Sequence, residues 1–352
     1  MYKILVINPG STSTKFAVFH DEKLVFQQTL RHSGEELKPF PTIASQYEFR
    51  KEVLLNCLTE NQIPLDFDIN VGRGGILKPL NSGVYAITET MKADLLSAKY
   101  GEHACNLGGL IASNLANSIG CKAIIADPVV VDEMEDVARL SGHPLFPRIS
   151  IFHALNQKAT ARIYANEKQT KYEDLNLILA HLGGGISVGA HRKGKVIDTN
   201  NALAYGPFSP ERSGTISSSA LATLCFSGKY TQEQVKKMLN GEGGLMAHLG
   251  TNEAHVAVER AKNGDKMAQL VLDALAYNVA KEIGAMATVL QGEVDAIILT
   301  GGIAYNACIT DYITKQVQFI APVSVYPGED ELWALVSNGI HALDTQVIFD
   351  YE

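Results

Sequence analysis

Short runs of apolar residues, each long enough for one strand, alternate along the chain with segments of helical periodicity. The runs predict buried strands at residues 2–7, 67–71, 121–127 and 295–300. The clearest helix is predicted for residues 265–291, where apolar residues recur at spacings of three and four. Strands that alternate with helices are typical of an α/β fold, in which helices cover a β-sheet.

Two segments of the chain repeat one pattern of strand, small-residue turn and strand. They span residues 4–19 and 177–190, and each is followed by a charged turn and a further β-like run, at 23–30 and 195–198. This recurrence favours a duplicated domain, although any two β-hairpins share part of the pattern. Hairpins also indicate mixed sheets that are not wholly parallel. We place the domain boundary within residues 141–148, where a glycine and two prolines interrupt regular structure.

Composition narrows the class of protein. The chain has 352 residues, a formal net charge of −8, 46% hydrophobic and 19% charged residues, which is typical of a globular protein of about two domains. Net acidity argues against nucleic acid or an anionic membrane surface as the main partner. No apolar run reaches the roughly 18–20 residues of a membrane helix, and no signal-peptide pattern precedes the first strand. Five widely spaced cysteines without a C-x-x-C pair argue against zinc and disulfides, so we expect a reduced, cytoplasmic protein.

Three turns built from small residues follow predicted strands and are candidates for binding phosphate. Three consecutive glycines at 183–185 and a pair at 301–302 are costly in entropy and pack nothing, so close approach of a ligand explains them. The first turn, residues 10–15, combines small residues and hydroxyls with a lysine, and its backbone amides can cradle an anion. It lacks the spacing of a Walker A motif. Each turn alone could be an ordinary tight turn, but together they favour one site for nucleotide phosphates.

Two arginines, an aspartate and two histidines stand out as candidates for chemistry. Arg73 and Arg212 lie in glycine-containing segments. A planar guanidinium is suited to gripping a carboxylate or phosphate, although a loop arginine is more often a solvated charge. Asp127 ends a predicted strand and could cap a helix, act as a general base or bind Mg²⁺. Of ten histidines, we single out His153, on a predicted helix, and His181, at the mouth of the glycine turn.

Two further histidines and an acidic segment are weaker candidates. His103 and His248 are as readily structural as functional. The acidic residues at 329–331 either favour the first turn of a helix or anchor a metal ion through water.

In their order along the chain, these motifs resemble those of the acetokinase family. The residues that carry the resemblance are Asn8, Gly10, Ser11, Ser13, Lys15, Arg73, Asp127, His153, His181, Gly183, Gly184, Gly185, Arg212, Gly301 and Gly302. The match runs from residue 3 to about residue 340, and several motifs in series make it specific. Within that family, the Asn-Pro start of the first turn, the Gly-Arg-Gly-Gly segment and the Pro-Gly-Glu-Asp-Glu segment are most similar to butyrate kinases.

The resemblance implies a fold and a reaction. The fold is that of actin-like ATPases: two duplicated ribonuclease H-like domains, with mixed β-sheets flanked by helices and an active-site cleft between them. Residues 1–148 would form the carboxylate side, with helix 329–345 packing back on it, and residues 149–328 would bind ATP. The reaction is reversible, Mg²⁺-dependent transfer of the γ-phosphoryl group of ATP to a short carboxylic acid, giving an acyl phosphate and ADP. Family members are often homo-oligomers.

The resemblance also implies roles for residues of this sequence. Arg73 and Arg212 resemble the family's substrate and transition-state arginines. His153 resembles a histidine that stabilises the transferring phosphoryl group, and Asp127 resembles the active-site aspartate. The nucleotide is expected to contact Asn8, Ser11, Ser13, Lys15, His181, Gly183, Gly184, Gly185, Gly301, Gly302 and Asn306. Mg²⁺ is expected near Asn8, Asp127, Asp330 and Glu331, and the acyl chain near Gly75, His103 and Phe152.

The chemistry of the acceptor supports these roles. A carboxylic acid with a pKa near ~4–5 is already ionised at neutral pH, so its phosphorylation needs no general base. This favours Asp127 as an organiser of Mg²⁺ and not as a base. Two arginines also suit an anionic acceptor better than a neutral sugar hydroxyl.

The sequence departs from the acetate kinases at several positions. Residues 154–157 read Ala-Leu-Asn-Gln in place of Gly-Thr-Ser-His, and residues 250–253 do not reproduce the adenosine motif. Gly75 stands near a valine that contacts the substrate methyl, so its missing side chain is expected to open room for a longer acid. We therefore favour butyrate or isobutyrate as substrate. A propionate or acetate kinase, a non-catalytic actin-like switch and a sugar kinase are the alternatives.

Overall fold

The chain forms two compact units, each built around its own sheet. The computed structural model describes residues 1–328 and 330–352. The first unit comprises Met1–Val131 together with Asp330–Glu352, and the second comprises Asp132–Glu329. Glu329 itself, with which the predicted helix 329–345 was to begin, lies outside the described residues. In the part of the chain that the structure describes, no helix combines the length and the apolar character that a membrane span requires.

The first unit contains a six-stranded mixed sheet. Its strands are β1 (Lys3–Gly10), β2 (Ser13–His20), β3 (Lys23–Arg31), β4 (Ile69–Arg73), β5 (Val84–Ala86) and β6 (Lys122–Ala126). Their order across the sheet is β3-β2-β1-β4-β6-β5. Strands β1, β2 and β3 form an antiparallel meander, β4 and β6 continue the sheet parallel to β1, and β5 closes it antiparallel to β6.

The second unit contains a five-stranded sheet. Its strands are β7 (Asn176–Leu182), β8 (Ile186–Arg192), β9 (Lys195–Thr199), β10 (Ala296–Gly301) and β11 (Val323–Pro327). Their order is β11-β10-β7-β8-β9, with an antiparallel meander from β7 to β9 and parallel pairing of β7 with β10 and of β10 with β11. Five strands of the first sheet, β3-β2-β1-β4-β6, have the same order and directions. The predicted duplication of an α/β domain with mixed sheets is therefore confirmed.

Helices flank both sheets. In chain order they are α1 (Gly34–Leu37), α2 (Tyr47–Glu60), α3 (Glu89–Leu96), α4 (Asn106–Ile119), α5 (Asp136–Arg139), α6 (Ala154–Glu167), α7 (Ser218–Cys225), α8 (Gln232–Leu239), α9 (Gly244–Leu249), α10 (Ala254–Lys262), α11 (Lys266–Val289), α12 (Ala307–Val317) and α13 (Glu331–Thr345). Helices α1 to α4 and α13 belong to the first unit, and the others belong to the second. Short 3-10 turns lie at Ala44–Gln46, Tyr172–Asp174 and Gly302–Tyr305.

The core of the second unit forms along the predicted apolar stripe of α11. Asp265 caps this helix, because its Oδ1 accepts hydrogen bonds from the amides of Met267 and Ala268, each at 3.0 Å. The stripe is buried against the sheet and consists of Leu272, Leu275, Val279, Ile283, Met286 and Leu290. The periodicity thus predicts both the helix and the face that it buries.

In the first unit, α4 lies unusually close to β4, and glycines on both elements allow this. A Cβ atom at Gly72 would lie 2.4 Å from the carbonyl oxygen of Gly108, and one at Gly108 would lie 2.5 Å from the carbonyl oxygen of Arg73. No side chain fits into either distance, so the two backbones are in direct contact. This contact fixes the end of β4, from which Arg73 projects.

The boundary between the units lies nearer the N-terminus than the predicted segment 141–148. The structure divides at Val131 and Asp132, because the residues that follow are bonded to a helix and a strand of the second unit. Glu133 pairs with Lys158 at 2.9 Å, and Arg148 pairs with Asp198 at 2.7 Å. The glycine and prolines of the predicted boundary therefore belong to a loop inside the second unit.

Candidate functional site

In the first unit, the three central parallel strands end in polar residues at one edge of the sheet. Asn8 lies near the end of β1, Arg73 ends β4, and Asp127 follows β6. The register pairs Ile7 with Gly72 and Arg73 with Ala126, so the three strand ends are level. The carboxyl ends of parallel strands are where open α/β sheets bind ligands. The structure therefore brings three of the predicted site residues to the expected edge.

Arg73 is held by a carboxylate from the C-terminal segment. Its Nη1 donates to Oε2 of Glu331 at 2.6 Å and to Oδ1 of Asn8 at 3.2 Å. The amide nitrogen of Asn8 donates to the same oxygen of Glu331. Glu331 is the first residue of α13 and is only 7% exposed. Because a buried carboxylate needs such partners, Glu331 and Arg73 fix each other in one geometry.

Asp127 is held in a strained backbone conformation. Its φ is +37°, a region that residues other than glycine rarely adopt. The side chain is buried, and its Oδ1 accepts hydrogen bonds from the hydroxyl of Ser82 at 2.6 Å and the amide of Gly83 at 3.0 Å. Strain of this kind persists only where surrounding contacts enforce it, and it occurs preferentially at functional sites.

The predicted magnesium ligands do not form a closed protein cage. Asp330 is exposed and caps α13, with Oδ1 accepting from the amide of Trp333 at 2.9 Å. Glu331 and Asn8 bond to each other and to Arg73. Throughout residues 1–328 and 330–352, no group of three or more His, Cys, Asp or Glu side chains is arranged to hold a metal ion. The oxygen donors present nevertheless suit Mg²⁺, which uses one or two carboxylates and completes its shell with water and substrate phosphates.

A buried arginine that the sequence analysis did not select holds the first hairpin turn. Arg50, on α2, is fully buried, and its guanidinium donates to the carbonyl oxygens of Gly10 at 2.7 Å, Ser11 at 2.9 Å and Ser13 at 2.9 Å. Oε1 of Gln46 accepts from Nε of Arg50 at 3.0 Å and from Nη2 at 2.8 Å. Burial lowers the pKa of Arg50 to about 10, so the group stays charged at neutral pH. Three carbonyl oxygens of the turn are therefore fixed by one guanidinium.

The predicted turn residues differ in exposure. Ser11 is exposed, whereas Ser13 and Lys15, at the start of β2, are half-buried. With Thr12, which is also exposed, the turn offers two exposed hydroxyls and one half-buried hydroxyl together with a lysine on a fixed backbone. Of these, Ser11, Ser13 and Lys15 are the groups that the resemblance associates with nucleotide phosphates.

The packing around Gly75 does not support the predicted widening of an acyl pocket. A Cβ atom there would lie 2.5 Å from Oδ1 of Asn106 and 2.7 Å from Cδ2 of Leu95. Asn106 in turn accepts from the amide of Ile76 at 2.8 Å. The space beside Gly75 is therefore filled by neighbouring protein atoms, and the glycine permits close packing against the start of α4. This part of the sequence interpretation is wrong.

His103 and Cys105 form a pair near Arg73. Nδ1 of His103 lies 3.0 Å from the sulfur of Cys105 and accepts from its amide at 3.2 Å. Burial raises the pKa of Cys105 to about 11, and the charge of Arg73 acts in the opposite direction. The thiol is thus neutral at physiological pH. The third predicted pocket residue, Phe152, is buried in the second unit, one residue before His153.

Two histidine rings stack in the second unit. His153 and His181 lie with ring centroids 3.7 Å apart and planes 10° from parallel. His181 is fully buried on β7, with Nδ1 2.7 Å from Oδ1 of Asn156. His153 lies 2.8 Å, through Nδ1, from the hydroxyl of Ser187. It occupies the N-cap position of α6, which begins at Ala154, so the prediction that it lies on the helix itself is wrong.

The turn Gly183, Gly184 and Gly185 joins β7 to β8 beside this pair. The amide of Gly183 donates to the carbonyl of Gly185 at 3.1 Å, and the hydroxyl of Ser209 donates to the carbonyl of Gly184 at 2.6 Å. Gly184 is exposed, and a Cβ atom there would meet nothing within 4 Å. Hydrogen bonds thus hold the carbonyls of the turn, while the side of Gly184 on which a Cβ atom would lie is open to a ligand. A phosphate-binding turn needs both features.

Arg212 packs directly on the glycine turn. A Cβ atom at Gly185 would lie 1.9 Å from Nη1 of Arg212, so only glycine leaves room for the guanidinium. The same Nη1 donates to the carbonyl of Ala202 at 2.8 Å. Its Nε is buried and has no hydrogen-bond partner within the described chain. Burial lowers the pKa of Arg212, and the neighbouring Glu211 carboxylate opposes this shift.

A second glycine turn closes the edge of this sheet. Gly301, at the end of β10, has a φ of +92° and exchanges backbone hydrogen bonds with Gly328 at 3.1 and 2.9 Å. Gly302 is exposed, with nothing within 4 Å of a Cβ atom. Asn306 is half-buried at the start of α12 and donates to the carbonyl of Ile303 at 3.2 Å. Both glycine turns therefore lie at the carboxyl ends of neighbouring parallel strands.

Comparison with known proteins identifies the family. The model of the acetokinase family matches residues 150–321. Over 347 residues the chain is 54% identical to butyrate kinase 2 of Clostridium acetobutylicum, and the match covers 98% of each protein. The chain belongs to the acetokinase family. A probable butyrate kinase of Bacteroides thetaiotaomicron is 55% identical over 343 residues, which cover 97% of each chain.

The fold agrees with this membership. The crystal structure of Porphyromonas gingivalis acetate kinase superimposes with a TM-score of 0.78 over 97% of this chain and 100% of that one, at 19% sequence identity. At that identity the likeness establishes the shared fold alone. The resemblance to the acetokinase family, and the actin-like fold that it implied, are confirmed.

Proposed function

We propose that this chain is a butyrate kinase, which transfers the γ-phosphoryl group of ATP reversibly to butyrate and yields butyryl phosphate and ADP. Similarity over nearly the whole length to relatives named butyrate kinases carries the proposal. Polar clusters at strand ends of both units support it, because phosphoryl transfer depends on positioning and on neutralising charge.

The first unit supplies the groups for the acid. Arg73 binds the carboxylate through its guanidinium, which Glu331 and Asn8 keep oriented. The acid is already an anion, so Asp127 acts with Asn8 in organising Mg²⁺, directly or through water, and not as a base. Mg²⁺ supplies charge neutralisation for the phosphates when bound. The adjacent carboxylates of Asp330 and Glu331 are proposed as further oxygen ligands near Mg²⁺.

The second unit supplies the groups for ATP. The open turns at 183–185 and 301–302 bind phosphate oxygens through backbone amides, as exposed glycines at strand ends allow. His181 and Asn306 support these turns, and Ser11, Ser13 and Lys15 add contacts from the first hairpin. Arg212 and His153 donate to the transferring phosphoryl group, whose negative charge their N–H groups stabilise.

Preference for butyrate rests on the relatives, since Gly75 opens no space. The substrate pocket is proposed to involve His103 and Phe152. All five cysteines are free thiols, which supports a reducing, cytoplasmic location.

A hydroxamate assay tests the proposal. Protein, MgATP and hydroxylamine are mixed with acetate, propionate, butyrate, isobutyrate or valerate, and acyl hydroxamate is measured. We expect the highest kcat/KM with butyrate. A maximum with acetate or isobutyrate would retain a carboxylate kinase but reject butyrate as the substrate. No hydroxamate with any acid would reject the kinase.

The arginine assignment is tested in the same assay. Arg73→Gln removes the charge that binds the carboxylate, and we expect kcat/KM to fall by roughly 10²–10³-fold. Arg31→Gln, at an exposed arginine of the same sheet, is the matched control. Equal effects of the two substitutions would contradict the assignment.

A further inference from the structure

A continuous chain of buried hydrogen bonds leads from His153 into the core of the second unit. The hydroxyl of Ser187 lies 2.8 Å from Nδ1 of His153, and Nε2 of Gln157 lies 2.9 Å from that hydroxyl. Oε1 of Gln157 lies 2.9 Å from Nε2 of His191, and Oη of Tyr172 lies 2.7 Å from its Nδ1. All four residues beyond His153 are buried.

One backbone carbonyl sets the direction of every donor in this chain. The carbonyl oxygen of Ser187 can only accept, and it lies 3.1 Å from Nε2 of Gln157. The amide nitrogen therefore faces Ser187 and the amide oxygen faces His191, whose Nε2 must carry a proton. Nδ1 of His191 then accepts from the hydroxyl of Tyr172. Burial lowers the pKa of His191 well below its usual value, in agreement with a neutral ring.

The hydroxyl of Ser187 is left with one role. Its oxygen accepts from Gln157 at 2.9 Å and from the backbone amide of His153 at 3.3 Å, which occupies both lone pairs. Its own proton therefore points to Nδ1 of His153, which accepts it. A neutral imidazole whose Nδ1 accepts carries its proton on Nε2.

A glycine on the second sheet leaves the space that Gln157 and His191 of this hydrogen-bond chain occupy. A Cβ atom at Gly189, on β8, would lie 2.7 Å from Oε1 of Gln157 and 3.1 Å from Nε2 of His191. Gln157 also belongs to the segment 154–157, where this sequence departs from the acetate kinases. The side chain of Gln157 thus fits because residue 189 is a glycine.

We propose that Ser187 and Gln157 are positioning residues that hold His153 in the tautomer with its proton on Nε2, ready to donate to the transferring phosphoryl group. The proposal rests on the role of His153 in the proposed function. A donor that is set before the reaction needs no reorganisation during it. His191 and Tyr172 keep the amide of Gln157 from turning over.

NMR spectroscopy of the full-length protein with ¹⁵N-labelled histidine tests the tautomer without any substrate. His153→Asn identifies the signals of His153. In the wild type at pH 7.5, we expect an unprotonated Nδ1 and a protonated Nε2. In Ser187→Ala and in Gln157→Met, whose side chain has a similar size, we expect a mixture of tautomers.

Kinetics test the consequence for the reaction. We expect Ser187→Ala and Gln157→Met to lower kcat about 10–100-fold, with KM for ATP and acid within about threefold of wild type. Thr199→Val is the matched control, because it removes a fully buried hydroxyl on the adjacent strand that donates to a carbonyl at 3.1 Å. It should lower the melting temperature and leave both the tautomer and kcat unchanged.

Two results would overturn the proposal: a wild-type His153 with its proton on Nδ1, or a Ser187→Ala variant with unchanged tautomer and kcat. A wild type that phosphorylates no acid would reject the proposed function. The spectra would still decide whether Ser187 and Gln157 set the tautomer.

Discussion

At the scale of single residues, the candidate site depends on side chains that are absent as much as on those present. Gly185 leaves the space in which the guanidinium of Arg212 lies, and Gly75 leaves space for Asn106. Gly184 and Gly302, by contrast, face open space. Glycines at strand ends therefore have two distinct uses here: some admit a neighbouring side chain, and others leave a surface that a ligand can approach.

The contact between Gly185 and Arg212 leads to a sharp prediction. In Gly185→Ala, the added Cβ atom would lie only 1.9 Å from Nη1 of Arg212, so the guanidinium must move. We expect kcat to fall by roughly 10²–10³-fold, as when one transition-state donor is removed. Steady-state kinetics and the melting temperature are measured together.

Gly284→Ala, in the middle of α11, provides the control for this substitution. A Cβ atom there meets nothing within 4 Å, and alanine favours a helix over glycine by about 1 kcal/mol. Activity should be unchanged and stability slightly raised. If Gly185→Ala also left activity unchanged, the present position of the Arg212 guanidinium would not matter for catalysis, and the prediction would be contradicted.

At the scale of elements, α2 determines the shape of a turn that is distant from it in sequence. Arg50 contacts three carbonyl oxygens of the β1–β2 turn and the side chain of Gln46. The five donors of a guanidinium in a fixed plane make this set of contacts geometrically demanding. The turn is therefore held in one conformation by a helix, and not by its own sequence alone.

Arg50→Lys tests this dependence because it keeps the charge and removes the planar fork. An ammonium group has only three donors, so we expect at least one carbonyl to lose its partner. We expect a loss of stability of about 1–3 kcal/mol and a higher KM for ATP. Urea unfolding and initial-rate kinetics provide the two measurements.

Lys51→Arg, at the adjacent position of α2, is the control. Lys51 pairs with Glu48 near the surface, where such a pair contributes little. Wild-type kinetics in Arg50→Lys, at full stability, would show that the turn is fixed independently of Arg50.

At the scale of the whole molecule, each unit contains a buried histidine whose pKa is lowered by burial, which favours the neutral ring in the folded state. Burial is the main cause that lowers the pKa of His32 in the first unit and of His191 in the second. Unfolding exposes both rings and restores their ordinary pKa near 6.5. Below that pH the unfolded chain binds more protons than the folded chain, so stability falls as pH falls.

We accordingly expect the free energy of unfolding to be lower at pH 5.5 than at pH 7.5. His191 contributes at most about 1.4 kcal/mol per pH unit to this difference. Urea unfolding at the two pH values measures it. His191→Gln should reduce the difference, whereas His255→Gln, at an exposed histidine, should not. A chain that is equally stable at both pH values would contradict the expectation.

How far the sequence predicts the structure depends on the range of the interaction. The repeated hairpins and the stripe of α11 are local patterns, and they predict the duplicated fold and its strand ends. The neighbours of Gly75 lie in α3 and α4, and the carbonyl partners of Arg50, which is on α2, lie in the β1–β2 hairpin. Such contacts arise only when the chain is folded. The domain boundary is misplaced for a related reason, because turn-forming residues mark a loop but not the unit to which it belongs.

The position of Glu331 in the chain has a consequence for biosynthesis. The counter-ion of Arg73 belongs to a segment that the ribosome makes only after the entire second unit. Helix α13 also packs on the first sheet, where Gly339 approaches the side chains of Val71 and Ile4. Until translation has passed Glu331, the nascent first unit therefore lacks the carboxylate that pairs with Arg73 and the helix that covers this face of its sheet. A stop codon before that point would leave the unit that is made first without its final helix.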